Sequence, residues 1–388
     1  MSIRITQIKR IVQVFTLTSL LAFPGVLLAK HQAATPNPAV QDDETAKPVK
    51  PKKEKRGSLI IAPIPIHSPA IGSGMILGLG YVFKLNRSDE ASPMSRVGVV
   101  GAFTNNGTHG GGLGGHLYFA ENKYQTRFAV AKGRVNYDFF GIGRVPSASG
   151  VSVRIKQSGT IFFGEFMRNF GKNIFVGPRF QYRKINATTD GIVPPGGFII
   201  PAIDLRSTTT ALGFRVLHDS TAGSFYPRNG SIFSFTADFF AKALGSNRTY
   251  QTYKAYYNGY RSLGDKQILA YRVMGCSVSD NTPFFDLCLY GTSSDLRGYT
   301  GGEFQDRRMF ATQVEYRREL KYRLGVVGFA GVGGVAPSLG KFRLDTLLPA
   351  AGLGLRFNVD KKNHINYRVD LGFGRSGHTL SMSVTEAF

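Results

Sequence analysis

Long apolar runs are what this 388-residue chain most lacks. Past residue 30 no segment reaches the roughly 20 consecutive apolar residues that a membrane-spanning helix requires. One uncharged run, Leu324 to Ser338, is crowded with glycine and bounded by Arg323 and Lys341. Each glycine costs a helix about 1 kcal/mol relative to alanine, so this run reads as a strand with its loop, and a helical membrane protein is excluded. Acidic residues are scarce as well: 25 Asp and Glu stand against 48 Lys and Arg, a net charge of +23. There is no Trp, and there are only two cysteines.

Signatures of catalysis are also missing. No G-x-S-x-G elbow occurs, and His67, His109, His116, His218, His364 and His378 are scattered with no nucleophile or acid pattern around them. Asp219 and Glu386 are acids that nothing in the sequence pairs. The glycine-rich run from Gly107 to Gly115 lies between strands and opens no helix, so it lacks the dipole and amide cradle of a phosphate loop and reads as a flexible hairpin region. The expectation is a non-enzyme with no cofactor and no metal.

What is present begins with an export signal. Residues 1–29 carry Arg4, Lys9 and Arg10, then an apolar run from Ile11 to Leu28, then the small Ala29. Pro24 and Gly25 break the run near its end, and no stop-transfer flank follows, which favours a cleaved signal peptide over an uncleaved anchor helix. Residues 30–56, KHQAATPNPAVQDDETAKPVKPKKEKR, contain no aromatic residue and too little apolar surface to offset the ordering entropy of a packed unit. They read as a disordered periplasmic tether. An exported chain rarely meets nucleic acid, so the basic excess points to lipid phosphates, lipopolysaccharide or a barrel lumen; a merely solvated basic surface is the alternative for any one residue.

Residues 57–388 carry the fold. Ile365, Tyr367, Val369, Leu371 and Phe373 make one apolar face, opposed by Asn366, Arg368, Asp370, Gly372 and Gly374. An Arg and an Asp cannot face hydrocarbon, so that second face points into a lumen. Ala351, Leu353, Leu355, Phe357 and Val359 repeat the pattern, as do Phe233, Phe235, Ala237 and Phe239 against Ser234, Thr236 and Asp238. A soluble sandwich also alternates. The number of segments and the export signal argue for a barrel, as does Phe388 closing the run Leu380, Met382, Val384, the C-terminal barrel signal, with Glu386 at the inner membrane-water boundary.

Strands are expected near 58–66, 71–84, 95–104, 109–120, 124–132, 151–168, 174–186, 207–217, 231–243, 248–261, 267–278, 308–319, 323–335, 350–359, 363–374 and 378–388. The fold class is therefore all-β: a sixteen-stranded antiparallel transmembrane barrel in the bacterial outer membrane. Tight and long connections alternate along the chain, which places both termini in the periplasm. The only cysteines, Cys276 and Cys288, flank the start of the longest outer connection. An even count in an oxidising compartment favours a disulfide over a metal pair, for which no His or acid cluster stands at ligand spacing.

That longest connection, after the eleventh strand, contains Leu296-Arg297-Gly298-Tyr299 followed by Gly301 and Gly302. Here the chain resembles the bacterial surface antigen family, the superfamily of BamA, TamA and the two-partner secretion transporters, whose barrels carry such a motif in the sixth outer loop. Asp219 with Phe225-Tyr226-Pro227-Arg228-Asn229-Gly230, Gln313-Val314-Glu315-Tyr316-Arg317, Gly352 to Phe357 and Arg368-Val369-Asp370 are similar to other family stretches. The resemblance implies that Arg297 folds back into the lumen and pairs with Glu315, with Gly298 and Tyr299 completing the motif. The second family acid usually sits in a phenylalanine-x-aspartate-x-glycine stretch. Here that stretch is Phe329-Ala330-Gly331-Val332-Gly333, so a single partner and a weaker lock are expected. Relatives that insert or secrete proteins carry periplasmic POTRA modules, which the 30–56 tether is too short to make, so the chain resembles the POTRA-less branch.

Two functions follow as expectations. One is a barrel that inserts or translocates protein or lipid at the outer membrane, with a seam formed by Gly57-Ser58-Leu59 and Ser381 to Phe388. The other is a passive or structural barrel, a porin-like pore or surface antigen. The partners implied are outer-membrane lipids and lipopolysaccharide, the barrel assembly machinery during biogenesis, and an unidentified protein or lipid substrate; nucleic acid is not among them.

Overall fold

The computed structural model describes residues 57–388 apart from 87, 90, 144–151, 191–204, 222–223, 293 and 362–363, so the expected signal peptide (1–29) and tether (30–56) lie outside the described residues. All sixteen alternating segments form strands. They are β1 (Gly57–Ser68), β2 (Gly72–Phe83), β3 (Ser95–Thr104), β4 (His109–Phe119), β5 (Tyr124–Phe139), β6 (Val153–Asn169), β7 (Ile174–Asp190), β8 (Arg206–Asp219), β9 (Gly230–Phe240), β10 (Tyr250–Gly264) and β11 (Gln267–Val278). After two short strands, β12 (Cys288–Tyr290) and β13 (Phe304–Asp306), come β14 (Arg308–Glu319), β15 (Leu324–Ala336), β16 (Leu348–Asp360), β17 (Ile365–Gly374) and β18 (Gly377–Val384). Every barrel strand pairs antiparallel with its neighbour, and β18 returns to β1, which closes the sheet; β12 and β13 pair only with each other.

The apolar row of each strand faces out. Leu59, Ile61, Leu353 and Leu355 are exposed along the outer surface, as a band against hydrocarbon requires. One rim carries tight turns whose residues sit in the left-handed region, such as Ala120, Glu121 and Asn122 with φ of 54°, 57° and 59°. The opposite rim carries the long connections. There β5 runs past residue 132, where the sequence pattern ended it. In that extension Tyr137 and Phe139 turn inward and are buried, and Arg134, Asn136 and Asp138 take the outward positions. The alternation is inverted because this part packs on a loop core within the barrel mouth.

The glycine-rich segment is strand β4 and not a flexible hairpin. Its neighbours on the lumen side are apolar or small, so from β1 to β6 the inner wall presents Ile60, Ala62, Ile64, Val100, Ala131 and Ile161. The wall from β7 onward is polar.

Two expectations about the closure are corrected. β1 and β18 share a single register pair, His67 with Met382. Extending that register sets Val384, the last residue of β18, opposite Pro65. Gly57–Ser58–Leu59 thus lies beyond the end of β18 and forms no seam with it. Thr385 adopts φ 71° and breaks the strand, so Glu386 and Phe388 turn inward and do not continue the row of Leu380, Met382 and Val384. Glu386 is buried, where Arg356 Nε donates to it at 2.7 Å and Asn366 Nδ2 at 2.8 Å. The sequence offered Glu386 no partner because the partners lie on β16 and β17. The Phe388 carbonyl accepts from Arg317 Nη2 at 2.8 Å, and its ring lies 5.6 Å from that guanidinium.

Candidate functional site: a loop locked in the barrel lumen

The connection from β11 to β14 does not project from the barrel. It crosses the lumen and meets opposite walls. On one side Asp286 accepts from Arg183 Nη1 of β7 at 2.6 Å and pairs with Tyr250 Oη of β10 at 2.5 Å. On the other, Tyr290 Oη donates to the Leu348 carbonyl and Tyr299 Oη to the Pro349 carbonyl, each at 2.5 Å. Phe284, Leu287, Leu296 and Phe304 of this connection pack with Tyr137, Ile155 and Ile185 of the wall in one buried apolar cluster. A loop without a core of its own is thereby given one by the barrel.

The disulfide joins Cys276 of β11 to Cys288 of β12, with Cα atoms 5.7 Å apart. It ties the start of the loop to the wall from which it departs. Closing a loop of this length stabilises by about 3 kcal/mol through the unfolded state.

Arg297 stands at the centre. Its Nη2 pairs with Glu315 of β14, its Nη1 lies 3.0 Å from Asp370 of β17, and Gln313 Oε1 accepts from Nε at 3.3 Å. The guanidinium also lies 3.6 Å from the centre of the Phe329 ring. A planar fork with five donors can reach two carboxylates and an amide at once; an ammonium cannot. Gly298, at φ 119°, has no room for a side chain, because a Cβ there would fall 2.9 Å from both Ala350 Cβ and the Phe373 carbonyl. That close approach of loop backbone to β17 seats Arg297 over its partners.

The expectation of a single acid is therefore overturned. Asp370 supplies the second carboxylate from β17, two strands away from Gly331 on β15. Gly331 itself is filled space: a Cβ there would fall 2.1 Å from the Thr312 carbonyl and 2.7 Å from Leu296 Cδ1. The sequence had marked Asp370 as inward, but nothing in one strand says which inward residues share a level across the lumen.

The cluster extends beyond the motif. Arg317 Nε meets Glu315 at 2.6 Å, Arg356 bridges Asp370 at 2.6 Å and Glu386 at 2.7 Å, and Arg368 lies 3.0 Å from Asp370. All seven side chains are at most 5% exposed. Four arginines against three carboxylates leave one positive charge, so the buried cluster is nearly compensated, the condition under which burial of ions is tolerated. Elsewhere on the loop, burial raises the carboxyls of Asp295 and Glu303 above their usual range. Asp286 is lowered instead: burial works to raise it, and the Arg183 guanidinium with its hydrogen bonds outweighs that. Among the described residues no group of three or more His, Cys, Asp or Glu is placed to hold a metal.

A closed sixteen-strand barrel stoppered by an arginine-bearing loop defines a class of outer-membrane protein. The Omp85 superfamily domain matches residues 102–359, and the chain belongs to that superfamily. Among solved structures it is similar to BamA from Haemophilus ducreyi, in a form lacking POTRA domains 1–3, at 13% identity and a TM-score of 0.56, over 86% of this chain and 71% of that one. It is also similar to CdiB from Acinetobacter baumannii, at 12% identity and a TM-score of 0.57, over 85% of this chain and 60% of that one. CdiB from Escherichia coli gives 11% identity and a TM-score of 0.55, over 86% of this chain and 67% of that one. The chain thus spans under two thirds of the Acinetobacter CdiB. No curated protein matches it significantly.

Proposed function

We propose that this barrel sits in the outer membrane with its tight turns in the periplasm and its long loops outside, and that it moves protein or lipid through a lateral seam between β1 and β18. It acts as a conduit and not as an enzyme. The observation that carries this reading is the single register pair at closure, His67 with Met382, where other neighbouring strands pair along their length. Pro63 and Pro65 add to it. Proline has no N–H to give a neighbouring strand, and the Pro65 carbonyl turns toward β17, accepting from Tyr367 Oη at 3.2 Å across the end of β18. In hydrocarbon, unpaired edge groups must find another partner, which an incoming strand or a lipid headgroup supplies. The Arg297 loop supports the reading from inside, since it stoppers the route through the lumen and leaves the wall as the exit.

The test is a reversible clamp. His67→Cys with Met382→Cys should form a disulfide across the seam. In proteoliposomes the reduced protein is expected to accelerate insertion of an unfolded outer-membrane barrel or movement of a labelled phospholipid, and the oxidised protein is not. Equal rates in both states would refute the seam. A steady conductance in planar bilayers that the clamp leaves unchanged would instead identify a passive pore.

A further inference from the structure

The loop does not fill the whole lumen. Beside it, against the inner wall of β1 to β11, lies a cavity of about 370 Å³ that no residue of 279–307 lines, a volume within the range of small-ligand sites. Its two sides differ in chemistry. One is apolar, with Ile60, Ala62 and Ile64 of β1 and Ile161 of β6. β1 and β2 carry no charged residue on either face, which a water-filled lumen does not require.

The other side is cationic. Direct register partners carry Arg96, His116, Arg127, Glu165 and Arg179 across β3 to β7 at one level. Arg215, Lys254 and Arg272 face the same cavity. Glu165 already serves Arg127 and Arg215, and Asp238 takes Arg179 at 2.9 Å. Among the described residues Lys254 and Arg96 have no carboxylate at ion-pair distance, and the one side-chain hydrogen bond of Arg96 is a long one, 3.5 Å, to His116. Arg272 donates to Asn258 at 2.8 Å and lies 4.5 Å from the Tyr256 ring centre, again with no acid.

We propose that this cavity binds an anionic amphiphile: one phosphate or carboxylate head against Lys254 and Arg272 of the adjacent strands β10 and β11, with an acyl chain along Ile60, Ala62 and Ile64 of β1. The chemistry excludes half-ligands. A free anion leaves the apolar wall wet, and an uncharged chain leaves the cations unpaired. An extended peptide fits poorly, because the apolar wall offers few partners for its backbone amides and carbonyls. A route for the chain exists as well, since β1, which supplies Ile60, Ala62 and Ile64, is the strand whose free edge lies beyond the end of β18. The assignment does not rest on the transport reading, because binding is measured without any transport step.

The experiment is native mass spectrometry of the full barrel in a non-ionic detergent, with dodecyl phosphate below its micelle threshold as the probe. A saturable one-to-one adduct is expected, with dodecanol and inorganic phosphate each at least about tenfold weaker, in line with the loss of a charge-assisted bond or of chain burial. Lys254→Gln, Arg272→Gln and Ala62→Phe should each weaken it by about tenfold. They lie on three different strands, so misfolding of one, seen as loss of heat-modifiable mobility, leaves the others decisive. Lauric acid identifies the head: a preference for dodecyl phosphate assigns a phosphate and the reverse a carboxylate, and either supports the site. Non-saturating adducts, or adducts equal in all three variants, would mean general detergent-like association and overturn the proposal. So would inorganic phosphate binding as tightly as dodecyl phosphate, or one-to-one binding of an acidic peptide in the absence of any dodecyl phosphate adduct.

Discussion

Replacing Arg297 with alanine removes the only loop charge in the buried cluster. Breaking one partner out of a buried ion pair typically costs about 3 to 5 kcal/mol, because the other charge is stranded. Here the stranded groups keep other partners: Glu315 retains Arg317, and Asp370 retains Arg356 and Arg368. The cluster also falls from one excess positive charge to none. The loss should therefore lie near the low end, about 3 kcal/mol. Glu315→Gln acts the other way, raising the excess from one to two and leaving Arg317 with a carbonyl and aromatic rings. It should cost more than Arg297→Ala. In the double variant the shared bond is lost once, so the combined loss should fall short of the sum. Arg297→Lys should recover little, since an ammonium cannot span Glu315, Asp370 and Gln313 together. The midpoint of the gel-mobility shift on heating in SDS and the rate of proteolysis within 279–307 report all four proteins. Strict additivity, or a smaller loss for Glu315→Gln than for Arg297→Ala, would show that the charge accounting is wrong.

Gly331→Asp should lower the same midpoint, since its side chain must displace Leu296 or the Thr312 backbone; a raised midpoint would revive the family geometry at that position. Reduction of Cys276–Cys288 should speed proteolysis within the loop and leave the folded barrel's gel mobility unchanged, and loss of that mobility would assign the bridge to the barrel itself. Pro65→Val should restore a donor facing β18 and stabilise the closure by about 1 kcal/mol, seen as a higher midpoint; no change would mean that this edge stays unpaired for another reason. Asp295 and Glu303 have raised carboxyl pKa values in the folded loop, so their protonated forms are favoured there. The stabilisation these two carboxyls give the loop is full below the ordinary carboxylate range near pH 4 and is lost as pH rises through the raised values, so loop proteolysis should quicken over that rise, where Asp286, held lowered by Arg183, stays ionised. Proteolysis that slows over the same rise would reverse the assignment.

The barrel was legible in the sequence because lipid imposes a period of two on every strand. β3, β11 and β14 occupy the spans that the alternation marks, and the other barrel strands lie within several residues of theirs. Misplacements occur where lipid stops dictating the pattern. β5 extends into a region of inward aromatics, and the tail after Val384 obeys Arg317 and Arg356 and not the bilayer. Arg297 and Glu315 were legible as a motif, yet Asp370, Gln313 and Phe329 were not, because cross-lumen neighbours depend on the stagger of sixteen strands. The apolar lumen face of β1 was hidden for a different reason. Ile60 to Ile66 is apolar or proline throughout, so alternation gives no inward face to read.

The net charge of +23 is distributed by function and not spread evenly. Around Arg297 four arginines meet three carboxylates, and every acid touches at least one guanidinium, so the cluster holds a conformation. Around the cavity stand six cations, Arg96, Arg127, Arg179, Arg215, Lys254 and Arg272, with Glu165 and Asp238 as their ion-pair partners, and Asp286 acts on Lys254 and Asp295 on Lys254 and Arg272 from farther away. Among the described residues Arg96, Lys254 and Arg272 have no carboxylate at ion-pair distance. Beside an apolar wall such an excess is costly unless water or an anion answers it. A structural role would be better served by adding acids, as the Arg297 cluster does. The same residue type thus holds the loop in place where it is matched, and where it is unmatched it makes that part of the lumen receptive to negative charge.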